Sequence, residues 1–341
     1  MMKRIVLCFD GTWNKPADEN LPANKQVETN VRRFFESVEK SGPGDVQQAK
    51  WYDQGVGSKW YDRYVGGAIG AGLEKNIIDG YKFLAQQYAD GDEIYILGFS
   101  RGAYTARSLV GLIRNCGLVY NKQLTLRVAM AYGIYRTRGD GPDSEAATAF
   151  KEMFARQVKI KFLGVWDTVG ALGIPLNHLE QLNGKFYEFH DTRLSKIVEN
   201  AFHAVAIDEH RETFNVCLWN PDTEPEQNLE QRWFVGAHCD VGGGYAEREL
   251  SDITLGWMQD RAAALGLALK PVVAGPENFR GEFHDSYTGF LGGVYAKKNA
   301  RHYRTVAGTK YGHEKIDESA ERRRKEDQSY EPQNDGLPPV A

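Results

Sequence analysis

The chain has 341 residues, of which 42% are hydrophobic and 26% are charged, and its formal net charge at pH 7 is −4. These values are typical of a globular protein whose core is large enough to fold without disulfide or metal staples. The slight excess of acidic residues argues against a nucleic-acid-binding protein that depends on overall positive charge. We therefore expect no nucleic-acid partner.

The cysteines and the N-terminus indicate the compartment. Cys8, Cys116, Cys217 and Cys239 are too few and too widely spaced for a disulfide framework, and no two of them form the Cys-x-x-Cys pair of a zinc site. The first apolar run covers only residues 5–9, which is shorter than the core of a signal peptide. No run approaches the roughly 18 apolar residues of a spanning helix. We therefore expect a cytoplasmic protein with no transmembrane segment, exported only by a route that needs no N-terminal signal.

Strand-like and helix-like patterns alternate along the chain. Apolar runs at residues 4–10, 92–99 and 158–167 are typical of buried strands. Further strands are predicted at residues 50–53, 215–219 and 232–237. Helical patterns cover residues 30–39, 73–84, 103–115, 124–136, 144–156, 195–204 and 250–265.

This alternation predicts an α/β fold with a mostly parallel central sheet, helices on both faces and helical insertions. We expect a single domain over residues 1–313, with an insertion at residues 120–156. Ten of the thirteen residues from 314 to 326 are charged. Residues 314–341 are therefore predicted to form a flexible C-terminal tail.

The sequence Gly98-Phe99-Ser100-Arg101-Gly102 matches the G-x-S-x-G pattern of a nucleophile elbow. It follows a predicted buried strand and precedes a predicted helix, which is the context that the motif requires. A serine on such a sharp turn needs small residues two positions away on each side, and the turn lifts its hydroxyl above the sheet. The alternative is a serine that only caps the following helix. The context favours a nucleophile.

A nucleophilic serine needs a histidine base and an acid that orients the histidine. In α/β-hydrolases the acid and then the histidine follow the serine, each at the carboxyl end of a strand. Asp167 ends an apolar run and fits the acid, although a helix-capping aspartate explains it too. His238 ends another apolar run beside a glycine-rich loop and is the favoured base. His284, near a later polar loop, is the main competing candidate.

An oxyanion hole needs two N–H donors. The backbone N–H of Arg101, the residue after the nucleophile, is the expected first donor. The second should come from a loop after an early strand, where Gly11 and Thr12 are suitably placed. Asp10 can hold that loop or pair with Arg101, and a plain Asp-Gly turn is the alternative. Asp240, which precedes Val241 and three glycines, is a further supporting residue.

Two other functions compete with a serine hydrolase. Asp10-Gly11-Thr12 resembles the D-G-T of haloacid-dehalogenase phosphatases and would make the chain a metal-dependent phosphoester hydrolase. That motif needs a nucleophilic aspartate two residues earlier, where this chain has Cys8. The other alternative is a catalytically retired scaffold that binds a partner through the aromatic loop at residues 51–64. The intact candidate triad argues against it.

Five blocks together resemble the catalytic domain of the type VI secretion phospholipase effectors of lipase class one, an α/β-hydrolase family. They begin at residues 9, 52, 98, 165 and 236 and read FDGTWN, YDQGVG, GFSRGAYTAR, VWDTVG and GAHCDVGGGY. The resemblance implies a serine esterase or phospholipase with Ser100 as nucleophile, Asp167 as acid and His238 as base. It also implies a lipid substrate, contact with a membrane surface and, for a toxin, an immunity protein or secretion machinery as partner.

The predicted reaction is hydrolysis of carboxylic esters, chiefly lipid or phospholipid acyl esters, through an acyl-enzyme. It requires no metal and no organic cofactor. The insertion at residues 120–156 separates the elbow from the acid strand and is predicted to be a lid. Its apolar residues, among them Met130 and Tyr132, fit either a lipid-binding face or the core of the inserted helices.

Overall fold

A computed structural model describes residues 2–11, 27–55, 66–137, 139–170, 192–290 and 292–339. Thr12 and most of the aromatic loop at residues 51–64, both named in the sequence-based predictions, lie outside these residues.

Eight of the described strands form one sheet, and two more pair separately. Across the sheet the order is β10-β9-β8-β7-β4-β1-β3-β2, and all neighbours are parallel except β2 and β3. Strands β5 and β6 form a small antiparallel ribbon. The bounds are β1 Arg4–Phe9, β2 Ser41–Gly42, β3 Val46–Asp53, β4 Glu93–Phe99, β5 Leu118–Val119, β6 Ala155–Arg156, β7 Phe162–Trp166, β8 Asn200–Ala206, β9 Asn228–Phe234 and β10 Glu314–Ile316.

The described helices connect these strands or extend them. Their bounds are α1 Asn30–Ser37, α2 Gly66–Gln87, α3 Arg101–Cys116, α4 Leu124–Arg136, α5 Glu145–Phe154, α6 His238–Gly242, α7 Glu249–Ala264, α8 Ser286–Gly289, α9 Val294–Lys298 and α10 Glu318–Glu326. None of them carries an apolar stretch of membrane-spanning length in its described part.

Alternate residues of each central strand face opposite layers of helices. Ile5 and Leu7 of β1 pack in a cluster with residues of α2 and α3. Val6 and Cys8 of the same strand pack in a cluster with residues of α1 and α7. The predicted α/β architecture, with a mostly parallel sheet and helices on both faces, is therefore confirmed. In a parallel sheet the carboxyl ends of the strands share one edge, and β4, β7 and β9 end there together.

The helix predicted at residues 195–204 is wrong. Residues Asn200–Ala206 form strand β8, which lies between β7 and β9. The strand is covered on both faces, so it lacks the alternation of apolar and polar residues that identifies a half-exposed strand, and its alanines favour a helix. The strand predicted at residues 215–219 is reduced to one bridge between Val169 and Val216.

The C-terminal segment is folded onto the sheet, so the flexible tail predicted at residues 314–341 is wrong for the residues described. Strand β10 adds to the sheet beside β9. Helix α10 follows, with Asp317 as its N-cap. Beyond the helix, the Tyr330 side chain is buried and its hydroxyl donates to Asp208 Oδ2 at 2.8 Å. The charge-rich sequence hides these anchors because its few buried side chains are spread among exposed ones.

The insertion at residues 120–156 packs along the flank of α3. Tyr135 lies against Gly111, and Asn115 donates to the Asp140 carbonyl. At about 1.5 Å per helical residue, these contacts lie roughly 15 Å or more along α3 from its start beside Ser100. The insertion is also anchored by the β5–β6 ribbon, beyond the C-terminal end of α3. The lid role stays a prediction.

Candidate active site

Ser100 occupies the sharp turn between β4 and α3. Its backbone angles are φ 59° and ψ −122°, a conformation that residues other than glycine rarely adopt. Its N–H donates to the Trp166 carbonyl at 3.0 Å, which ties the turn to the end of β7. No hydrogen bond from the Ser100 side chain caps the helix. This is the strained turn that a nucleophile elbow requires, and it differs from the extended backbone of an ordinary helix N-cap.

The two glycines of the motif are sterically required. A Cβ added at Gly102 would lie 2.1 Å from the carbonyl oxygen of Phe9 in β1. A Cβ at Gly98 would lie 2.5 Å from the Gly102 carbonyl oxygen. Both distances are far below van der Waals contact, so the chain passes this turn only without side chains at these positions. The pattern read from the sequence therefore has a local physical cause.

His238 and Asp167 meet at the carboxyl edge of the sheet. Asp167 follows β7 and His238 begins α6 after β9, so the two residues flank the end of β8. The His238 Nδ1 atom lies 2.6 Å from Asp167 Oδ2. An ionised carboxylate only accepts hydrogen bonds, so Nδ1 carries the proton and Nε2 keeps its lone pair. A histidine in this tautomer can act as a general base.

The Asp167 carboxylate is fully buried and has four hydrogen-bond donors. Oδ1 accepts from Arg304 Nη1 at 2.6 Å and from the Ala206 N–H at 3.0 Å. Oδ2 accepts from Arg304 Nη2 at 3.1 Å as well as from His238. Burial alone would raise the pKa of Asp167, but the charge of Arg304 and the bond from His238 outweigh burial and hold the pKa well below its usual range. Asp167 therefore stays ionised.

The imidazole of His238 packs between aromatic rings. Its centroid lies 4.6 Å from that of Phe99, the residue before Ser100, and 5.2 Å from that of Phe214. Burial lowers the pKa of His238 below its ordinary value, and the bond to Asp167 only partly offsets this. The ring is therefore neutral near pH 7. It is beside the elbow in the protonation state that proton abstraction requires.

A buried ion pair lies next to His238. Glu209 follows β8 and forms two bonds with the Arg211 guanidinium, at 2.8 and 2.6 Å. Glu209 Oε2 also accepts from the His238 N–H at 3.3 Å and from the Ser286 hydroxyl at 3.0 Å. Arg211 in turn covers the Phe214 ring, with its guanidinium carbon 3.6 Å from the centroid. These contacts fix the backbone of His238 and the ring beside it.

His284, the competing base, belongs to a different pair. Its Nδ1 lies 2.7 Å from Asp240 Oδ1, and its backbone N–H donates to Asp240 Oδ2 at 2.9 Å. Its ring stacks on Tyr245 with centroids 3.7 Å apart. Asp240 Oδ2 also accepts from the Ala237 N–H at 2.9 Å. The structure thus joins Asp167 to His238, whereas Asp240 and His284 brace the turn that begins α6.

The backbone N–H groups of the predicted oxyanion donors Arg101 and Gly11 have different surroundings. Arg101 is the first residue of α3, so its N–H lies at the positive end of the helix. The Gly11 N–H donates to Asp10 Oδ1 at 2.6 Å, so in this conformation it is not available to an oxyanion. Gly11 is therefore not supported as the second donor. Thr12 lies outside the described residues, and its role stays a prediction.

Asp10 holds the loop after β1. Besides the Gly11 N–H, it accepts from the Thr29 hydroxyl at 2.6 Å and from the Tyr52 hydroxyl at 2.5 Å. These bonds occupy the carboxylate on which the alternative phosphoester hydrolase would depend. Within the described ranges, His, Cys, Asp and Glu side chains nowhere gather in threes as for a metal site.

Sequence reasoning missed three residues of this site. Arg304 lies in a polar stretch with no motif around it, and only the folded chain brings it to Asp167. Glu209 stands in the run Asp208-Glu209-His210 after a strand, a cluster that did merit attention as a site. His203 lies in β8, and its Nε2 accepts from the Thr168 N–H at 3.1 Å.

Residues 3–261 match the family described as "T6SS, Phospholipase effector Tle1-like, catalytic domain". The chain belongs to this family. The resemblance seen in the sequence blocks is confirmed. The match covers about three quarters of the chain and includes the elbow, Asp167 and His238.

Relatives and solved structures similar to the chain are larger proteins. An uncharacterized protein of Saccharomyces cerevisiae, YEL023C, is 33% identical over 243 residues, which cover 64% of this chain and 33% of that protein. A crystal structure of an uncharacterized protein from Pseudomonas aeruginosa aligns with a TM-score of 0.46 at 20% identity, over 81% of this chain and 48% of that chain. The structure of the Tle1 effector bound to the VgrG spike of the type 6 secretion system aligns with a TM-score of 0.44 at 19% identity, over 72% of this chain and 52% of that chain. The chain thus spans about a third of its yeast relative.

Proposed function

We propose that this domain is a serine hydrolase that cleaves carboxylic esters, with lipid acyl esters as substrates. The observation that carries the proposal is the elbow of Ser100 beside the hydrogen-bonded pair of His238 and Asp167, at one edge of the sheet. The His238 ring packs against Phe99, the residue that precedes Ser100, which supports the pairing of this base with this nucleophile. Family membership supports the lipid substrate.

In the proposed reaction Nε2 of His238 takes the proton from the Ser100 hydroxyl as its oxygen attacks the ester carbonyl. Asp167 keeps the imidazole in the required tautomer and stabilises its positive charge. The N–H of Arg101 donates to the oxyanion, and Thr12 is the proposed second donor. His238 then gives the proton to the departing alcohol. Water attacks the acyl-enzyme by the same route in reverse, so Ser100 is regenerated.

The family also supports a setting for this reaction. We propose association with a type VI secretion machinery and export through it, since the family is one of effectors of that system. An immunity protein as partner stays a prediction.

The test is labelling with a fluorophosphonate probe, followed by mass spectrometry of the modified peptide. We expect modification of Ser100 in the wild-type protein, and loss of hydrolysis by about 10⁶-fold in Ser100→Ala and His238→Ala. His284→Ala is the matched control, because it removes a histidine with a similar carboxylate partner outside the proposed triad. Labelling that survives Ser100→Ala, or a larger loss in His284→Ala than in His238→Ala, would contradict the assignment.

The substrate class is tested separately with phospholipid vesicles and with short soluble esters. Release of fatty acid from vesicles that depends on Ser100 supports a lipid hydrolase. Hydrolysis of short esters alone would retain the serine mechanism and reject the lipid substrate.

A further inference from the structure

Arg304 forms hydrogen bonds with both carboxylate oxygens of Asp167, the proposed catalytic acid. Its side chain is 1% exposed, and its two terminal nitrogens bond the two oxygens of Asp167 at 2.6 and 3.1 Å. The same nitrogens donate to the carbonyls of Ala206, at 2.8 Å, and Phe214, at 2.5 Å. A planar guanidinium held at four points fixes the plane of the carboxylate that it grips.

Arg304 comes from outside the residues that define the family. The match ends at residue 261, and Arg304 lies in the segment after α9. That segment is itself anchored, because Asn334 Nδ2 donates to the carbonyls of both Arg304 and Ile207, at 2.9 and 3.0 Å. The Val306 N–H donates to the Asp335 carbonyl at 2.7 Å. The chain thus adds a buried cation to a site whose other members lie in the matched region.

We propose that Arg304 is a positioning residue of the triad: it fixes the Asp167 carboxylate toward His238 and offsets its charge, and so sets the pH range in which His238 acts as a base. This inference rests on the proposed function. Without Arg304, the uncompensated carboxylate would attract a proton onto His238 more strongly. The histidine would then lose its activity as a base at a higher pH.

Other charged groups also face His238. Asp167 lies after β7, and the pair of Glu209 and Arg211 lies after β8. Glu209 is bonded to its own arginine, Arg211, and also lies within reach of the charge of Arg304, whereas Asp167 is bonded to Arg304 directly. We therefore expect a change at Arg304 to act on His238 chiefly through Asp167.

The experiment measures the rate of fluorophosphonate labelling of Ser100 against pH in Arg304→Gln and Arg304→Lys. In the plot of labelling rate against pH, the acidic limb is the range in which the rate falls as the pH drops. For Arg304→Gln we expect this limb to move to higher pH by about one unit, because the compensating charge is lost. For Arg304→Lys we expect the limb to stay near that of the wild type while the plateau rate falls at least about tenfold, because the charge remains and the bidentate grip is lost.

Arg323→Lys is the matched control. Arg323 is also buried in the C-terminal segment and bonds the carbonyls of Phe279 and Gly281, at 3.1 and 2.6 Å, away from the triad. We expect this variant to have lower thermal stability, while its labelling rate keeps the acidic limb and the plateau of the wild type.

A folded Arg304→Gln protein with the wild-type limb and plateau overturns the proposal. If Arg304→Gln does not fold, the test rests on Arg304→Lys. A plateau labelling rate in Arg304→Lys equal to that of the wild type then overturns the proposal. If wild-type Ser100 is not labelled at all, the proposed function fails, and NMR titration of His238 then tests Arg304 alone. Protonation of His238 at a higher pH in a folded Arg304 variant that lacks the charge supports the inference, and an unchanged titration rejects it.

Discussion

His238 Nδ1 and Asp167 Oδ2 lie 2.6 Å apart at the sheet edge, although 71 positions separate them in the chain. The contact arises because β7, β8 and β9 are parallel neighbours that end at the same edge. The arrangement is therefore a property of the sheet, and changes at the strand ends should affect chemistry before they affect folding.

Asp167→Asn should lower the rate of Ser100 labelling by about 10⁴-fold, because the amide can donate to Nδ1 and so hold the histidine in the wrong tautomer. The matched control is Asp240→Asn, which changes the other buried aspartate bonded to a histidine. Asp240→Asn should cost far less activity. Stopped-flow or gel-based labelling at pH 7.5 compares the two. A greater loss from Asp240→Asn would identify the His284 pair as the working one.

Gly102→Ala should destabilise the protein by about 3 kcal/mol or more, because its Cβ has no space beside the Phe9 carbonyl and the neighbouring backbone must move. Serine labelling should be lost with it. Gly133→Ala in α4 is the control, since no atom lies within 4 Å of its added Cβ. That variant should gain about 0.5–1 kcal/mol, as alanine favours a helix. Urea unfolding measures both, and equal effects would contradict the steric argument.

The stability of the protein should fall as the pH drops below about 6.5, in part because of His203. Burial, and the nearby charge of Arg107, lower the pKa of His203 to about 3. Between these values the unfolded chain binds a proton at this histidine and the folded chain does not, so acid favours unfolding. In His203→Gln the slope of unfolding free energy against pH between 4.5 and 6 should decrease by up to about 1.4 kcal/mol per unit. Urea titrations across that range decide, and an unchanged slope would show that His203 is not the group responsible.

Tyr330→Phe should cost about 2 kcal/mol of unfolding free energy, because Asp208 loses a buried donor and keeps the Gly236 N–H at 2.7 Å on the same oxygen. Tyr303→Phe is the matched control, since it removes the same hydroxyl from an exposed side chain. We expect a change within about 0.5 kcal/mol there. Thermal unfolding distinguishes them. An equal, small effect in both variants would mean that the C-terminal segment contributes little to the stability of the fold.

The sequence predicted those parts of the site that depend on local pattern. The elbow could be predicted because the turn itself requires glycine at positions 98 and 102. Asp167 and His238 could be predicted because each ends an apolar run. The role of Arg304 could not be predicted from the sequence, since no motif near it in the chain indicates that it binds Asp167. Strand β8 was misread for a related reason: a strand covered on both faces shows no alternation, and only its neighbours reveal what it is.

The grip of Arg304 on Asp167 also has a consequence for synthesis. Arg304 follows Ser100 by 204 positions (304 minus 100). At about 5–20 residues per second, it leaves the ribosome roughly 10–40 s after the serine. Once His238 has also emerged, the nascent chain carries the elbow, the acid and the histidine, and it lacks the cation that holds the acid in place until Arg304 follows. With the proposed activity, a chain made in this order presents an incomplete site during translation, and a complete one only after Arg304 has emerged.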